Sequence, residues 1–459
     1  MKHFDAIIIG SGQAGTPLAK KLAEAGMQTA LVEKRWIGGT CVNDGCTPTK
    51  AMIASARMAY TARKSSTLGI HVSNVSVDLP AIVERKNSIV SKFRNGSLEG
   101  LQKVKNLEVI FGNAQFTGVK KLSVLKDDGS EEALTADLIF INTGTSPAIP
   151  PIPGLQDIPY FTSTSILDLN VVPEHLLILG GGYVGLEFGQ MFNRFGSKVT
   201  LLDINENFLK REDRDIANCL CSILQDEGMT LHCKAFVKQI EQSGQEIKAQ
   251  LTINGNPLNV TCSHVLLAAG RSPQTDFLQL NLTGVEVNEK RFIKVNSQLE
   301  TSQPGIYALG DVKGGPAFTH ISYNDYLVVY KNIVEKAGVS IKDRMVPYCM
   351  FTDPQLGRIG LTEEEVKKQG INYKVATLNM KNVARGIETG ETLGMMKAIV
   401  DADTKQILGA AIIGEQGGEV MSVIQMAMMG NITYQQLRDN IFAHPLYAES
   451  LNNLFLNLK

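Results

Sequence analysis

At 459 residues the chain is too long for a single hydrophobic core, and roughly two to four domains are expected. Its 44% hydrophobic and 20% charged content is that of an ordinary globular protein, and a formal net charge of −1 gives no overall drive toward nucleic acid or an anionic membrane. No apolar run approaches the ~20 residues that span a bilayer, and the opening residues enter a strand pattern without a signal peptide's apolar region. The expectation is a cytoplasmic protein with neither nucleic-acid nor membrane partners.

In chain order, residues 4–9 read as a strand, followed by Gly10-Ser11-Gly12-Gln13-Ala14-Gly15 and a helix through about Ala25. Thr29–Val32 is the next strand and ends at Glu33, 23 residues after Gly10. In such a unit Gly10 allows the tight turn, Gly12 lets the backbone approach a pyrophosphate, and Gly15 permits close helix–strand packing. The acid binds ribose hydroxyls. Glycine spacing alone is a weak signal, but strand, helix and acid in register make it a strong one.

The next stretch, Gly38-Gly39-Thr40-Cys41-Val42-Asn43-Asp44-Gly45-Cys46-Thr47-Pro48-Thr49-Lys50, holds two of the seven cysteines. The others, at 219, 221, 233, 262 and 349, are scattered and odd in number, which argues against a structural disulfide framework. Cys219 and Cys221 fall on a helical pattern and read as packing residues. At a helix start, Cys41 and Cys46 reach bridging geometry only if the first turn is distorted, which Gly45 and Pro48 permit. A helix N-terminus also favours a thiolate. Two buried packing thiols fit the spacing equally well. No second Cys/His pair follows at ligand spacing, so no metal site is expected.

Residues 75–107 read as a long helix pair or excursion, and strand-rich segments run to Ile141. The pattern breaks at Asn142–Pro147, and Pro150–Gly154 resembles a linker. The fingerprint then recurs as Gly180-Gly181-Gly182-Tyr183-Val184-Gly185, with a helix over Leu186–Phe195 and a strand over Val199–Leu202. Asp203 follows Gly180 at the same 23-residue offset. Two fingerprints imply two dinucleotides, most simply a nicotinamide and a flavin exchanging a hydride. Asp203 favours the free 2′-hydroxyl of NAD, although Lys210, Arg211 and Arg214 are within reach of an NADP phosphate. A matching break falls at Ala268–Pro273, and Ile306–Asp311 reads as a buried strand ending in Gly-Asp.

From Val346 strands and helices alternate without a fingerprint. There His444, followed by Pro445, has Glu449 five residues on. A lone His before Pro is ordinarily a loop residue, but a carboxylate that fixes its tautomer makes it a candidate general acid–base. The expected fold is α/β: two Rossmann-like dinucleotide-binding domains and a separate C-terminal α+β domain.

The segment Gly38–Lys50 closely resembles the active-site segment of the pyridine nucleotide–disulfide oxidoreductases. The resemblance extends over essentially the whole chain, through both fingerprints, Thr143-Gly144, Gly270-Arg271, Gly310-Asp311, Phe351-Thr352-Asp353-Pro354 and His444-Pro445. It implies a homodimeric flavoenzyme using FAD and NAD(P)H, in which Cys41 and Cys46 form a redox-active disulfide. Cys46 would lie against the flavin as the charge-transfer thiolate, and Cys41 would be the interchange thiol that meets substrate. Lys50 would approach flavin N5 and pair with Glu187, its charge stabilising reduced flavin. Gly39, Thr40, Thr143, Gly144, Gly310 and Asp311 would join Gly10, Gly12, Gly15 and Glu33 around FAD, with Asp311 on the ribityl chain. Gly180, Gly182, Gly185, Asp203 and Gly270 would serve the nicotinamide nucleotide. Tyr183 would cover the flavin until nicotinamide displaces it, or else simply pack a helix start. In the family the His444–Glu449 pair comes from the other subunit, so the active site would be shared in the homodimer. The resemblance further implies that the C-terminal α+β domain is a dimerisation domain and that the divisions are 1–147 (FAD-binding), 148–271 (NAD(P)-binding), 272–344 (FAD-binding, second part) and 345–459 (dimerisation). Met421, Met426, Met428 and Met429 are candidates for the dimer face, and equally for internal core.

Several positions depart from the family pattern. Leu446-Tyr447-Ala448 replaces Thr-x-Ser, Asp44 adds a charge inside the disulfide loop, and Thr47 replaces an aliphatic residue. Phe318–Tyr323 and Leu437–Phe442 look more like a bacterial mercuric-reductase-like subgroup. No cysteine pair precedes Lys459, which argues against efficient handling of Hg(II). The resemblance thus implies electron transfer to a small disulfide or a metal ion. Two alternatives stay open: a dihydrolipoamide dehydrogenase component of a 2-oxoacid dehydrogenase complex, and a non-catalytic redox sensor.

Overall fold

The computed structural model describes residues 1–458. The chain forms two compact units, one made of Met1–Ala51, Val83–Ala148 and Gly270–Arg344, the other of Met52–Ile82, Ile149–Ala269 and the segment from Met345 onward.

The first unit is built on a seven-stranded sheet. Its order runs Leu107–Phe111, Thr29–Glu33, Lys2–Ile9, Glu131–Ile141, Lys121–Leu125, Asn113–Gly118, with Ile306–Ala308 also pairing on Glu131–Ile141. The pairs among the first four strands are parallel. Strands covered on both faces need continuous apolar runs, and Ala6–Ile9 and Ala30–Val32 are all buried. Helix Gly15–Glu24 sends Leu18, Ala19 and Leu22 into this core. Gly10 lies just beyond the end of Lys2–Ile9, where parallel sheets bind ligands.

Three expectations are corrected within or across this region. Cys41 and Cys46 do not share one helix start. Cys41 lies in the short helix Gly39–Asn43 and Cys46 opens the helix Cys46–Lys64, with Asp44-Gly45 between them. A Cβ at Gly45 would stand 2.9 Å from the Thr40 carbonyl oxygen, so the break is built around a glycine. Instead of a helix pair over 75–107 there is one helix, Leu79–Gln102, whose first turn is capped by Asp78 Oδ1 accepting from the Ala81 N–H at 3.0 Å. The strand expected to run to Asp311 stops at Ala308, and Gly310–Lys313 turns as a 3₁₀ helix.

The second unit contains a five-stranded parallel sheet ordered Thr230–His232, Lys198–Leu202, His175–Leu179, His264–Leu267, Phe161–Thr162. An antiparallel sheet over Ala235–Ser243, Glu246–Ile253 and Asn256–Cys262 follows in sequence, and its inward residues share a core with the parallel sheet. The C-terminal part has a five-stranded antiparallel sheet ordered Tyr348–Met350, Gln355–Gly360, Ile407–Gly414, Met395–Asp401, Tyr373–Asn379. Helix Gly417–Met429 packs on it through Val420, Met421 and Ile424. Of the four methionines considered for a dimer face, Met421 is core and Met428 packs against it, whereas Met426 and Met429 are 56% and 60% exposed. Cys219 and Cys221 lie half-buried on helix Arg214–Asp226. Among the described residues no helix is long and apolar enough to cross a membrane.

Candidate active site

The two fingerprints fold into the same local device. A Cβ on Gly15 would come within 2.0 Å of the Gly10 carbonyl oxygen, and one on Gly185 within 2.0 Å of that of Gly180, so both third glycines are fixed by helix–turn contact. Gly10 and Gly180 have φ of +103° and +121°, in the region that disfavours side chains. Glu33 Oε2 accepts from the Ser11 N–H at 2.9 Å, and Asp203 Oδ2 accepts from the Gly181 N–H at 2.8 Å. Two residues past each acid a backbone N–H closes on the other carboxylate oxygen: Arg35 on Glu33 at 2.9 Å and Asn205 on Asp203 at 2.7 Å. The acids are therefore anchored by the turns they serve. Ser11 Oγ also donates to Glu33 Oε2 at 2.7 Å and Asn205 Nδ2 to Asp203 Oδ1 at 2.6 Å, so it is Glu33 Oε1 and Asp203 Oδ2 that keep a lone pair for a hydroxyl. At Gly182 an added Cβ would meet nothing within 4 Å, which leaves open backbone for a phosphate to approach. The residues present fit a dinucleotide at each turn.

The cysteine segment is tied to the first turn. Gly39, at φ +62°, packs so closely on Gly12 that a Cβ would lie 2.6 Å from the Gly12 Cα. The Gly38 N–H donates to the Ser11 carbonyl at 3.2 Å, and Gln13 Nε2 donates to the Gly38 carbonyl at 3.2 Å. Thr40 follows, exposed, and its carbonyl accepts the Asp44 N–H at 2.8 Å.

Cys41 and Cys46 are present as thiols, the first half-buried and the second exposed. Thr319, the first residue of helix Thr319–Ile333, places its hydroxyl between them. Its Oγ1 donates to Cys41 Sγ at 3.0 Å and stands 3.4 Å from Cys46 Sγ. The Cys41 thiol is held well above its ordinary pKa, first by its hydrogen bond with Cys46 and then by burial, while Thr319 pulls the other way. Cys46 opens a 19-residue helix, a position that favours negative charge. In the sequence Thr319 falls in a stretch, Phe318–Tyr323, that departs from a family pattern, and nothing local marks it for a role.

The breaks at 142–147 and 268–273 also come together. Thr145–Pro147 and Arg271–Pro273 form a two-stranded antiparallel sheet. Arg271 donates to Thr145 Oγ1 and to the Thr145 carbonyl, both at 2.7 Å, and Thr145 Oγ1 donates to Asp311 Oδ2 at 3.4 Å. Thr143 Oγ1 donates to the Gln274 carbonyl at 2.8 Å. Gly144 and Gly270 are open, with nothing within 4 Å of an added Cβ. Gly270, grouped in the sequence with the second fingerprint, begins the segment that folds into the first unit. Burial raises the Asp311 carboxyl pKa, with Arg271 and Lys313 opposing. A residue missed in the sequence, Asp325, organises the Gly310 turn. It is fully buried, accepts the Gly310 N–H at 2.8 Å, and pairs with Arg344 at 2.6 Å and Lys313 at 3.2 Å.

Lys50 lies on helix Cys46–Lys64 in the first unit, and Glu187 on helix Tyr183–Phe195 in the second. Glu187 is buried, and its Oε1 accepts the Phe351 N–H at 2.8 Å. Gln190 and Arg194 extend the same contact. Gln190 exchanges hydrogen bonds with the backbone of Asp353 at 2.7 and 2.8 Å, and Arg194 pairs with the Asp353 carboxylate at 2.5 Å. The Phe351–Pro354 motif is thereby docked along one face of that helix. Tyr183, at the helix start, is 39% exposed.

His444 presents its ring largely to solvent, with Nδ1 2.9 Å from Glu449 Oε2. A carboxylate on Nδ1 is the arrangement that orients an imidazole and leaves its Nε2 for another partner. Between them Tyr447 is buried and its hydroxyl lies 2.7 Å from Thr389 Oγ1, so this departure from the family pattern is a core anchor. Among the described residues no group of three or more His, Cys, Asp or Glu side chains is placed to hold a metal ion.

Comparison with known proteins gives one answer throughout. The pyridine nucleotide-disulphide oxidoreductase family matches residues 4–325, and that family's dimerisation domain matches residues 346–455. RclA of Escherichia coli K12, a pyridine nucleotide-disulfide oxidoreductase, is 38% identical over the full length of both chains. The mercuric reductase of Lysinibacillus sphaericus is 33% identical over 98% of this chain and 81% of its own, and the dihydrolipoyl dehydrogenase of Chlamydia muridarum 33% identical over 97% and 95%. Among solved structures, the Cu(II) complex of the HOCl-induced flavoprotein disulfide reductase RclA from Escherichia coli covers 99% of both chains with a TM-score of 0.92 at 37% identity. The chain is an α/β enzyme of the pyridine nucleotide-disulphide oxidoreductase family, whose members use FAD and a pyridine nucleotide.

Proposed function

We propose that the protein is a homodimeric FAD-dependent reductase that draws electrons from NADH and delivers them through Cys41 and Cys46 to a small disulfide or an oxidising metal ion. The observation that carries this reading is the packing of Gly39 on Gly12, which ties the cysteine segment to the first dinucleotide turn. Gly10–Gly15, Glu33, Thr143–Gly144 and Gly310–Asp311 would hold FAD, which when bound would supply a hydride acceptor for the nicotinamide and a two-electron donor for the sulfurs. The chain's own residues do the rest. Two electrons and one proton convert the Cys41–Cys46 bridge to a thiol on Cys41 and a thiolate on Cys46. His444, supplied across the dimer, takes the proton from Cys41. The Cys41 thiolate attacks one substrate sulfur, a mixed disulfide forms, and the departing thiolate is protonated by His444. Cys46 then attacks the Cys41 sulfur, closing the bridge and releasing the second half of the substrate as a thiolate, which takes its proton from solvent. With a metal ion, the two sulfurs would bind it, and as the bridge re-forms their two electrons would reduce one Hg(II) or two Cu(II) ions while the Cys41 proton leaves by way of His444.

The Cu(II) complex of the relative supports the metal-ion arm of the reading. NAD is favoured over NADP because Asp203 is buried and anchored where the 2′-hydroxyl would lie. A cavity of about 640 Å³, over residues that follow it in the chain, sets Lys210 and Arg214 among a larger number of carboxylates that includes Glu206, Glu212, Asp213 and Asp215. The test is anaerobic titration with NADH and with NADPH, read by the long-wavelength absorbance of a thiolate beside oxidised flavin. A steady-state panel of Cu(II), Hg(II), glutathione disulfide and lipoamide follows. Absence of that band, or its persistence in Cys46→Ser, overturns the mechanism. Fast dihydrolipoamide oxidation with NAD and no metal turnover selects the dihydrolipoamide dehydrogenase role instead.

A further inference from the structure

The two ionic and amide side chains inside the cysteine loop are both held by arginines, and both arginines lie over one indole. Asp44 forms an ion pair with Arg35. Asn43 Oδ1 accepts from Arg94 Nε at 2.8 Å, while Asn43 Nδ2 donates to the Ile37 and Gly39 carbonyls at 3.0 and 2.9 Å. The Arg35 and Arg94 guanidiniums sit 4.5 and 3.9 Å from the centre of the Trp36 ring. Like charges this close repel, and the Arg94 pKa is lowered by burial first and by Arg35 second, with Asp44 opposing. The ring and the carboxylate are what hold them together. Trp36 remains 44% exposed, so ordinary core packing does not explain the arrangement.

We propose that Arg35, Trp36 and Arg94 act as positioning residues that clamp the Cys41–Cys46 loop and bias the couple toward the disulfide. The inference rests on the redox role assigned above to that pair. A loop held from both Asn43 and Asp44 keeps the two sulfurs near each other after reduction. Their effective concentration stays high, and the bridge re-forms more readily than in a loose loop. The balance is that of ordinary thiol–disulfide exchange: the Cys41–Cys46 bond forms as glutathione disulfide is cleaved to two glutathione thiols.

Two substitutions test the clamp, and the first of them separates position from charge. Arg94→Lys keeps the positive charge but loses the planar stack and the Nε donor to Asn43. Asp44→Asn releases Arg35 and removes a negative charge, which also favours thiolates, so both effects act in one direction. The holoenzyme is equilibrated in glutathione buffers, quenched with an alkylating reagent, and the Cys41–Cys46 peptide is counted for free thiols by mass spectrometry. The expected result is that the equilibrium constant for bridge formation falls about tenfold in the double variant, a rise of about 30 mV in potential, with Arg94→Lys alone moving it the same way. The melting temperature should stay unchanged, and the emission of Trp36, the only tryptophan in the chain, should shift. A constant within twofold of wild type, or one that rises, overturns the clamp. If the wild-type pair does not titrate in the buffer at all, the redox reading itself is what fails.

Discussion

Thr319 donates its hydroxyl proton to Cys41 Sγ at 3.0 Å and lies 3.4 Å from Cys46 Sγ, so a single side chain touches both sulfurs. It is the one group acting on Cys41 that lowers its pKa through a side-chain hydrogen bond, against Cys46 and burial. Thr319→Val keeps the shape and removes the donor. The Cys41 pKa should then rise further, so its alkylation at pH 7–8 in the reduced enzyme should slow by roughly three- to tenfold and the pH midpoint of the reaction should move up. Thr319→Ser should restore both. Peptide-resolved alkylation rates against pH are the measurement, and unchanged Cys41 kinetics in Thr319→Val would show the hydroxyl to be spacing alone.

His444 is the second group whose geometry dictates an outcome. Its Nδ1 is committed to Glu449 at 2.9 Å and the ring is otherwise open. His444→Ala should reduce turnover with a disulfide substrate by roughly 10²–10⁴-fold. Thiolate–flavin absorbance on NADH titration should survive, because that step needs only the cysteines. Glu449→Gln should cost less, since it loosens the tautomer without removing the base. Mixing inactive His444→Ala with inactive Cys41→Ser subunits tests the shared site: partial recovery of activity in the mixed dimers is expected, and none if each subunit works alone.

What the sequence could tell depended on how local each feature was. Both nucleotide turns were readable because glycine spacing, helix and acid all fall within about thirty residues, and the structure adds only that Ser11 and Gly181 hold the acids. The break at Asp44-Gly45 has no comparable local signal. Two cysteines at that spacing look like one helix start, and only the approach of Gly45 to the Thr40 carbonyl shows why the helix must restart. Helix Leu79–Gln102 runs through Gly96 and Gly100, both in open space, so they cost helix propensity without ending it. Asp325, Lys313 and Arg344 carry no local signature, because their partnership is made by the return of helix Thr319–Ile333 beneath the Gly310 turn.

Asp325 is for that reason a strong structural test. With both Lys313 and Arg344 paired to a fully buried carboxylate, Asp325→Ala strands two cations and a backbone N–H. Removing one member of such a group costs about 3–5 kcal/mol. The variant should melt well below wild type and lose flavin on gel filtration, since Gly310-Asp311 is held by the same side chain. Asp325→Asn, which can still accept from the Gly310 N–H, should retain more flavin. Equal retention in both variants would detach the turn from Asp325.

A last prediction concerns acid. Lys397 is almost fully buried and meets Glu363 at 2.8 Å, Asp215 at 2.9 Å and Asp213 at 3.5 Å. Glu363 also receives Lys367 at 2.9 Å and the Tyr373 hydroxyl at 3.1 Å. These contacts, the Lys397 hydrogen bond foremost, lower its pKa to about 2. A depressed carboxylate contributes stability that is fully present above its unfolded pKa, about 4.3, and that is lost as pH falls toward the folded value. Within that window the unfolded chain binds the extra proton, so stability falls with pH. Glu363→Gln should therefore be less stable than wild type by roughly 1–3 kcal/mol at pH 7, discounted for the solvent-facing part of the side chain. The gap should be constant down to about pH 5 and narrow steadily below it. Parallel melting curves of the two holoenzymes from pH 7 to pH 3 read this directly, because every other titrating group is common to both. A gap that stays level through pH 3 would mean that Glu363 is not the carboxylate bearing the load on Lys397, and would shift that role to Asp213 and Asp215.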